Sequence, residues 1–205
     1  MQELLRNLAH LMNYRKQVPA EGFTDLMGKI LAGLPGLGWE LGPALSDADI
    51  DLLSLSVMHA PALLDDEDFT AGFPLRGEGW IVDLGVPPRD WDIYFKASFG
   101  GKALEIEGRE WAWTMSGQEG PVRLSLAVPP AQGDGLDAAA LQELAEIIVV
   151  GELGERNVLR HVAAIEVLGA TPAGGVLEPM AHLRARFAER FPDCAYAAWL
   201  SASRR

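Results

Sequence analysis

The chain has one cysteine, Cys194, among 205 residues. No intrachain disulfide can form, so an apolar core must hold the fold, as suits a reducing cytoplasm. Long hydrophobic runs are missing as well. No stretch approaches the ~20 consecutive apolar residues of a membrane span. Arg6, Asn7, His10, Asn13, Arg15 and Lys16 interrupt the first eighteen residues, which argues against a secretory signal. A cytoplasmic protein with no membrane partner is the expectation. Basic residues are also scarce: 17 Lys and Arg stand against 29 Asp and Glu, a net charge of −12. The deficit is local, since residues 40–110 hold fifteen acidic and five basic side chains. A field of that sign repels phosphate backbones and anionic lipid, which disfavours nucleic acid as a partner. It attracts a basic protein or a cation.

Recognisable catalytic, cofactor and metal motifs are missing too. His10, His59, His161 and His182 stand apart from one another and from Cys194, without metal-ligand spacing. Asp47, Asp49 and Asp51 resemble the start of a calcium loop. Leu52 stands where that loop needs glycine, and Met58 where it needs glutamate. Ser98 is a half-match to a nucleophile elbow, but Lys96 replaces the first glycine and the serine leads into a hairpin, not a helix. Gly151-Glu-Leu-Gly154 lacks the phosphate-loop pattern, and its glutamates would repel a phosphate. The sequence therefore assigns no catalytic residue, no cofactor and no metal.

What is present is an alternation of helix and strand patterns. Leu4, Leu5, Leu8, Leu11 and Met12 recur at helical spacing over 2–16. A second helix is predicted from Thr24, as its cap, and a third over 46–59, with Ser46 as N-cap and Asp47 and Asp49 in its first turn. Residues 80–128 read as strands. Trp91, Ile93, Phe95, Ala97 and Phe99 alternate with polar residues, and Gly100-Gly101 supplies a two-residue hairpin turn. That turn sets Phe95 opposite Ile106, Lys96 opposite Glu105 and Ala97 opposite Leu104. A second turn at Gly108-Arg109 puts Trp111 beside Ile106 and Trp113 beside Leu104. A return loop then brings Leu124 opposite Trp113 and Leu126 opposite Trp111. A loop at Pro87-Pro88 adds Val82 beside Ile93 and Leu84 beside Trp91.

Trp80, Trp91, Trp111 and Trp113 then share one apolar face and read as core, not as a stacking platform. Helices over 137–150 and 177–191 would cover that face, with Gly151 ending the first. Met180, Leu183 and Phe187 turn inward in the second, and Arg184, Arg186 and Arg190 outward. A sixth strand is expected over 161–168 and a loop over 169–175. The expected fold is α+β, an antiparallel five- to six-stranded meander sheet packed on one face by α-helices. It is read as a single domain over 1–205, mainly helical over 1–75, with no flexible linker in between.

The polar side of such a sheet carries Asp83, Asp92, Glu105 and Glu107, with Tyr94 and Lys96 among them. Asp65, Asp66, Glu67 and Asp68 form an acidic turn. Trp39 and Trp199 lie where an aromatic would be exposed. Modest size, acidity, a Trp-bearing meander with the turn Phe99-Gly-Gly-Lys102, and no active-site motif together resemble the small bacterial immunity proteins that bind and neutralise a cognate secreted toxin. The resemblance implies a protein-binding role in a bacterial cytoplasm, with a partner of basic surface, a secreted toxin. The acidity points to Asp65, Asp66, Asp68, Glu105 and Glu107 as contacts, with Trp39 as an aromatic anchor. Two other functions fit the same residues. One is a hydrolytic enzyme using two carboxylates in a cleft beside the sheet; the other is a small-ligand-binding protein with aromatics lining an internal cavity.

Overall fold

The computed structural model describes residues 1–45, 47–99, 102–168 and 176–202. Ser46 as a cap, the Gly100-Gly101 turn and the 169–175 loop therefore lie outside the described residues. The fold is α+β, with eight helices and three sheets among the described residues. The chain divides into two compact units, Met1–Pro87 and Pro88–Arg205.

The first unit opens with α1 (Gln2–Tyr14) and α2 (Ala20–Leu31). Leu8, Leu11 and Met12 of α1 and Phe23, Met27 and Leu31 of α2 are buried, as the apolar spacing requires. Pro19, not Thr24, precedes α2, and the Thr24 hydroxyl donates back to the Ala20 carbonyl at 3.1 Å inside the helix. Next come β1 (Gly38–Ala44), β2 (Asp47–Ser56), the short α3 (Glu67–Thr70), β3 (Leu75–Gly77) and β4 (Trp80–Leu84). They form a sheet in the order β1-β2-β4-β3, with β2 and β4 parallel. The helix expected over 46–59 is thus a strand. Leu53, Leu55 and Val57 are fully buried and alternate with Ser54 and Ser56, a period of two that outweighs the cap-like aspartates ahead of it. Arg15 fastens the end of α1 to this sheet: it is bonded to Asp51 and donates to the Gly79 carbonyl at 2.7 Å. Beside it the Trp80 indole N–H donates to Asn13 at 2.9 Å.

The second unit holds β5 (Tyr94–Phe99), β6 (Lys102–Glu107), β7 (Ala112–Ser116), β8 (Val122–Ala127), α4 (Pro130–Gly133), α5 (Ala138–Leu153), α6 (Glu155–His161), β9 (Val162–Leu168), β10 (Glu178–Pro179), α7 (Leu183–Arg190) and α8 (Ala197–Ala202). The β5–β6 hairpin has the expected register, with Phe95 opposite Ile106, Lys96 opposite Glu105 and Ala97 opposite Leu104. The single meander does not form. β4 pairs with β2 and β3 instead of β5, and β7 joins a separate sheet of order β10-β7-β8-β9.

Two local causes separate these strands. Ile93 takes φ +61°, a left-handed conformation that a β-branched residue rarely adopts, so β5 starts only at Tyr94. After β6, Gly108–Glu110 winds into a 3-10 turn where a hairpin was expected, and the chain leaves β6 unpaired with β7. Within the second sheet Trp113 faces Leu126 and Met115 faces Leu124, two residues away from the expected register. The sixth strand, β9, is present and runs parallel to β8.

Asp137 caps α5, accepting from the Ala140 N–H at 2.8 Å, as its position predicts. The helix does not stop at Gly151. It continues to Leu153 and ends at Gly154, whose φ of +81° leaves the helix; Gly151 instead is where the Trp91 ring rests, since a Cβ there would stand 2.3 Å from its Cζ2. The expected last helix is divided into β10, a 3-10 turn and α7. Arg184 of α7 points inward, against expectation, and is 1 % exposed. Its Nε and Nη2 donate to the two carboxylate oxygens of Glu152 at 3.0 and 2.8 Å. The Trp91 indole N–H donates to the same carboxylate at 2.8 Å, and the Trp199 ring lies 4.5 Å from the guanidinium.

Candidate functional site

The β5–β6 ribbon is the element that gathers the expected site residues of the second unit. Alternation along each strand places Tyr94, Lys96, Glu105 and Glu107 on one face. Lys96, Glu105 and Tyr94 are exposed on it, Tyr94 to 36 %, and Glu107 is half-buried. The Lys96 ammonium meets Glu105 at 3.1 Å. At the base of the ribbon Arg109 joins Asp92 at 2.8 Å and Glu107 at 3.5 Å. The face is therefore a ladder of alternating charges around one phenol, with Asp92, Glu105 and Glu107 outnumbering Lys96 and Arg109.

These charges tune one another. The bond from Lys96, then its positive charge, hold the Glu105 carboxyl below the usual carboxylate range. The same bond raises the Lys96 ammonium. The Tyr94 phenol is pushed above the usual tyrosine range, first by loss of solvent and then by the Glu105 charge. At neutral pH Glu105 is thus ionised and the Tyr94 phenol protonated.

The opposite face is apolar and fixes the ribbon at its base. The Phe95 and Trp91 rings stack with centroids 5.6 Å apart, and Ile93 and Ile106 are buried. Gly108 packs so tightly here that a Cβ would come within 2.4 Å of Ile93 Cγ2, and its N–H donates to the Ile93 carbonyl at 2.7 Å. Gln132 of α4 clamps the other side. It accepts from the Glu107 N–H at 3.1 Å and from the Trp111 indole at 3.2 Å, and it donates to the Glu107 carbonyl at 3.2 Å and Glu110 at 3.0 Å. No spacing in the sequence marks Gln132; only the fold brings α4 to the end of β6.

The remaining expected residues are placed differently. Asp65, Asp66 and Asp68 belong to the first unit and are exposed. Asp66 is the N-cap of α3, accepting from the Phe69 N–H at 3.0 Å, so it has a structural task. Trp39 is not an exposed loop aromatic. It lies in β1 opposite Leu55, half-buried, with its ring 5.5 Å from that of Phe23. Trp199 lies in α8 against Arg184. Trp80, Trp111 and Trp113 are at most 3 % exposed, and each indole N–H has an acceptor. Trp91 is half-buried between Phe95 and Gly151.

Among the described residues no group of three or more His, Cys, Asp or Glu is placed to hold a metal ion, and no helix is long and apolar enough to cross a membrane. A groove of about 780 Å³ opens where the parallel strands β8 and β9 end, lined by Val128, Pro129, Leu141, Val167 and Leu168 with Asp134 as its charged group. Its size suits a small ligand. The tryptophans do not line it, and neither does the carboxylate pair that the hydrolytic function requires. Neither the family models nor the curated proteins nor the solved structures compared with this chain give a match.

Proposed function

We propose that the chain is a non-enzymatic protein-binding module that docks on a basic surface of its partner through the charged face of the β5–β6 ribbon, in the manner of a bacterial immunity protein occluding a secreted toxin. The observation that carries the proposal is the ribbon itself. It holds Tyr94, Glu105 and Glu107 outward on a backbone clamped at its base by Gln132, Gly108 and Trp91. A partner would find an ordered backbone that presents the carboxylates on one face with an amphipathic ring between them. The excess of acid would steer encounter with a basic surface and make it salt-sensitive, because exposed charges are screened beyond about 10 Å at 0.1 M salt. Asp65 and Asp68 form a second acidic contact in this proposal, to be varied independently.

The test is capture from a lysate of the source cell on the immobilised chain, comparing wild type with Glu105→Lys/Glu107→Lys and with Asp65→Lys/Asp68→Lys. The expected result is a basic protein retained by wild type at low salt, released at about 0.5 M salt, and lost from the ribbon variant. Co-expression should then relieve the toxicity of the captured protein with wild type and not with that variant. Retention of the same proteins by wild type and both variants, independent of salt, would overturn the proposal. Unchanged far-UV circular dichroism ensures that each variant is folded.

A further inference from the structure

A two-stranded ribbon has two edges, and the bonds at Glu107 reveal how one of them is directed. Gln132 takes both backbone groups of Glu107, its N–H at 3.1 Å and its carbonyl at 3.2 Å. Both groups therefore leave β6 on the side away from β5. In an antiparallel pair the N–H and C=O of one residue point to the same side, and the side alternates with a period of two. Leu104 and Ile106 accordingly spend their backbone groups on β5, and Ala103 and Glu105 direct theirs outward. No described strand pairs with β6 on that side, and both residues are exposed. Gln132 does at Glu107 what a neighbouring strand would do at Glu105 and Ala103.

We propose that this edge of β6 accepts a third strand, an extended segment of the protein partner, so that recognition proceeds by strand addition. The proposal rests on the protein-binding reading above and states how that same face is engaged. Gln132 marks the end of the available edge, and the added strand covers Glu105 and Ala103. Side-chain alternation gives its chemistry. On the charged face its residues fall beside Ala103 and Glu105, within the field of Glu107, and are Lys or Arg; on the other face they fall beside half-buried Leu104 and are apolar. The segment thus alternates basic and apolar residues. A second copy of this chain is a poorer occupant, because it would bring the Glu105 and Glu107 carboxylates of both copies onto one face. A third strand also gives the ribbon what two strands lack, since an isolated two-stranded hairpin is marginal in water.

The probe is a seven-residue peptide of alternating lysine and valine, added to the full chain while amide hydrogen exchange is followed residue by residue. The expected result is exchange slowed about tenfold or more at Ala103 and Glu105, with Leu104 and Ile106 already protected without peptide. Ala103→Pro removes one outward N–H at an edge position where proline is tolerated, and should abolish this protection. N-methylation of the peptide on its pairing side should do the same with the protein unaltered, which keeps the test valid if the proline variant fails to fold. Equal protection by a peptide with its lysines and valines in two blocks overturns the proposal. So does protection confined to Tyr94, Lys96 and Ser98 on the β5 edge, or none at all. Doubling of the sedimenting mass, abolished by Ala103→Pro, would assign the edge to a second copy instead. In the capture experiment, loss of the partner from the Glu105→Lys/Glu107→Lys variant but full retention by Ala103→Pro refutes strand addition and leaves the protein-binding reading standing. Retention by all variants refutes both.

Discussion

Removing one partner of the Glu152–Arg184 pair should cost more stability than any other single polar substitution in the second unit. Glu152 is 0 % and Arg184 1 % exposed. The carboxylate accepts two bonds from the guanidinium and one from Trp91, at 2.8 to 3.0 Å, and Arg184 Nη2 also donates to the Arg89 carbonyl at 2.6 Å. In Arg184→Met the thioether fills much of the space, but the buried Glu152 carboxylate loses both guanidinium bonds. Stranding one member of a buried pair costs about 3–5 kcal/mol, two to three and a half decades in the folding equilibrium. Glu152→Leu takes the bidentate carboxylate from the buried guanidinium in the same way. The double variant strands neither charge. It loses the acceptor for Trp91 and the donor for Arg89, about 1–3 kcal/mol each. The double-mutant cycle should therefore fall short of additivity by about 3 kcal/mol. The assay is denaturant-dependent hydrogen exchange in peptides from α5 and α7. Additivity within about 0.5 kcal/mol, or a single variant losing less than about 1 kcal/mol, would refute the reasoning.

Other expectations concern the supports of the ribbon and its charges. Gly151→Ala should destabilise the second unit by about 1–3 kcal/mol and alter the near-UV circular dichroism of Trp91, since the new Cβ meets that ring. Gln132→Ala should cost about 1–3 kcal/mol and speed amide exchange at Glu107, because both backbone groups there lose their partner. Asp137→Ala should cost about 1 kcal/mol by removing the cap of α5, measured in the same exchange experiment. Glu105→Gln should lower the pKa of the Tyr94 phenol and of Lys96, because the carboxylate's charge raises the first and its bond and then its charge raise the second; NMR titration of the Tyr94 ring carbon reads the first directly.

The ribbon was legible because its evidence is local. Five alternating apolar positions and a glycine pair specify a hairpin register, and sliding it by one residue would turn Phe95 and Ile106 to solvent. The β2–β4 pairing was not legible: parallel strands share no turn, so no short sequence signal ties Leu53 to Val82. Residues 46–59 misled because aspartates near a serine look like a helix cap, while the alternation of Leu53, Leu55 and Val57 begins only later. Arg184 had a signal that charge concealed. It stands four residues after Met180 and three before Phe187, on the stripe that carries Leu183 inward, so helical spacing places it in the core despite its guanidinium. Its partner Glu152 likewise follows Ile148 by four residues on the buried side of α5.

The supports of the ribbon bear on what its edge can do. Trp91 on Phe95, Gly108 beneath Ile93 and Gln132 on Glu107 all act at one end. Phe99, Ala97 and Leu104, toward the turn, are only half-buried. Order imposed from one end declines along the strands, so the backbone of Ala103 and Glu105 is held in line by β5 yet not shielded from water. A strand arriving there meets donors and acceptors already aligned with it, and an apolar face with area still to bury. If the anchoring end were loosened, as in Gln132→Ala, the loss of alignment would be felt at the edge before the core, because the clamp holds Glu107, on the same strand and the same outward side as Glu105 and Ala103. Affinity for an added strand and amide protection at Ala103 should then fall together, while salt dependence, set by Glu105 and Glu107, should persist.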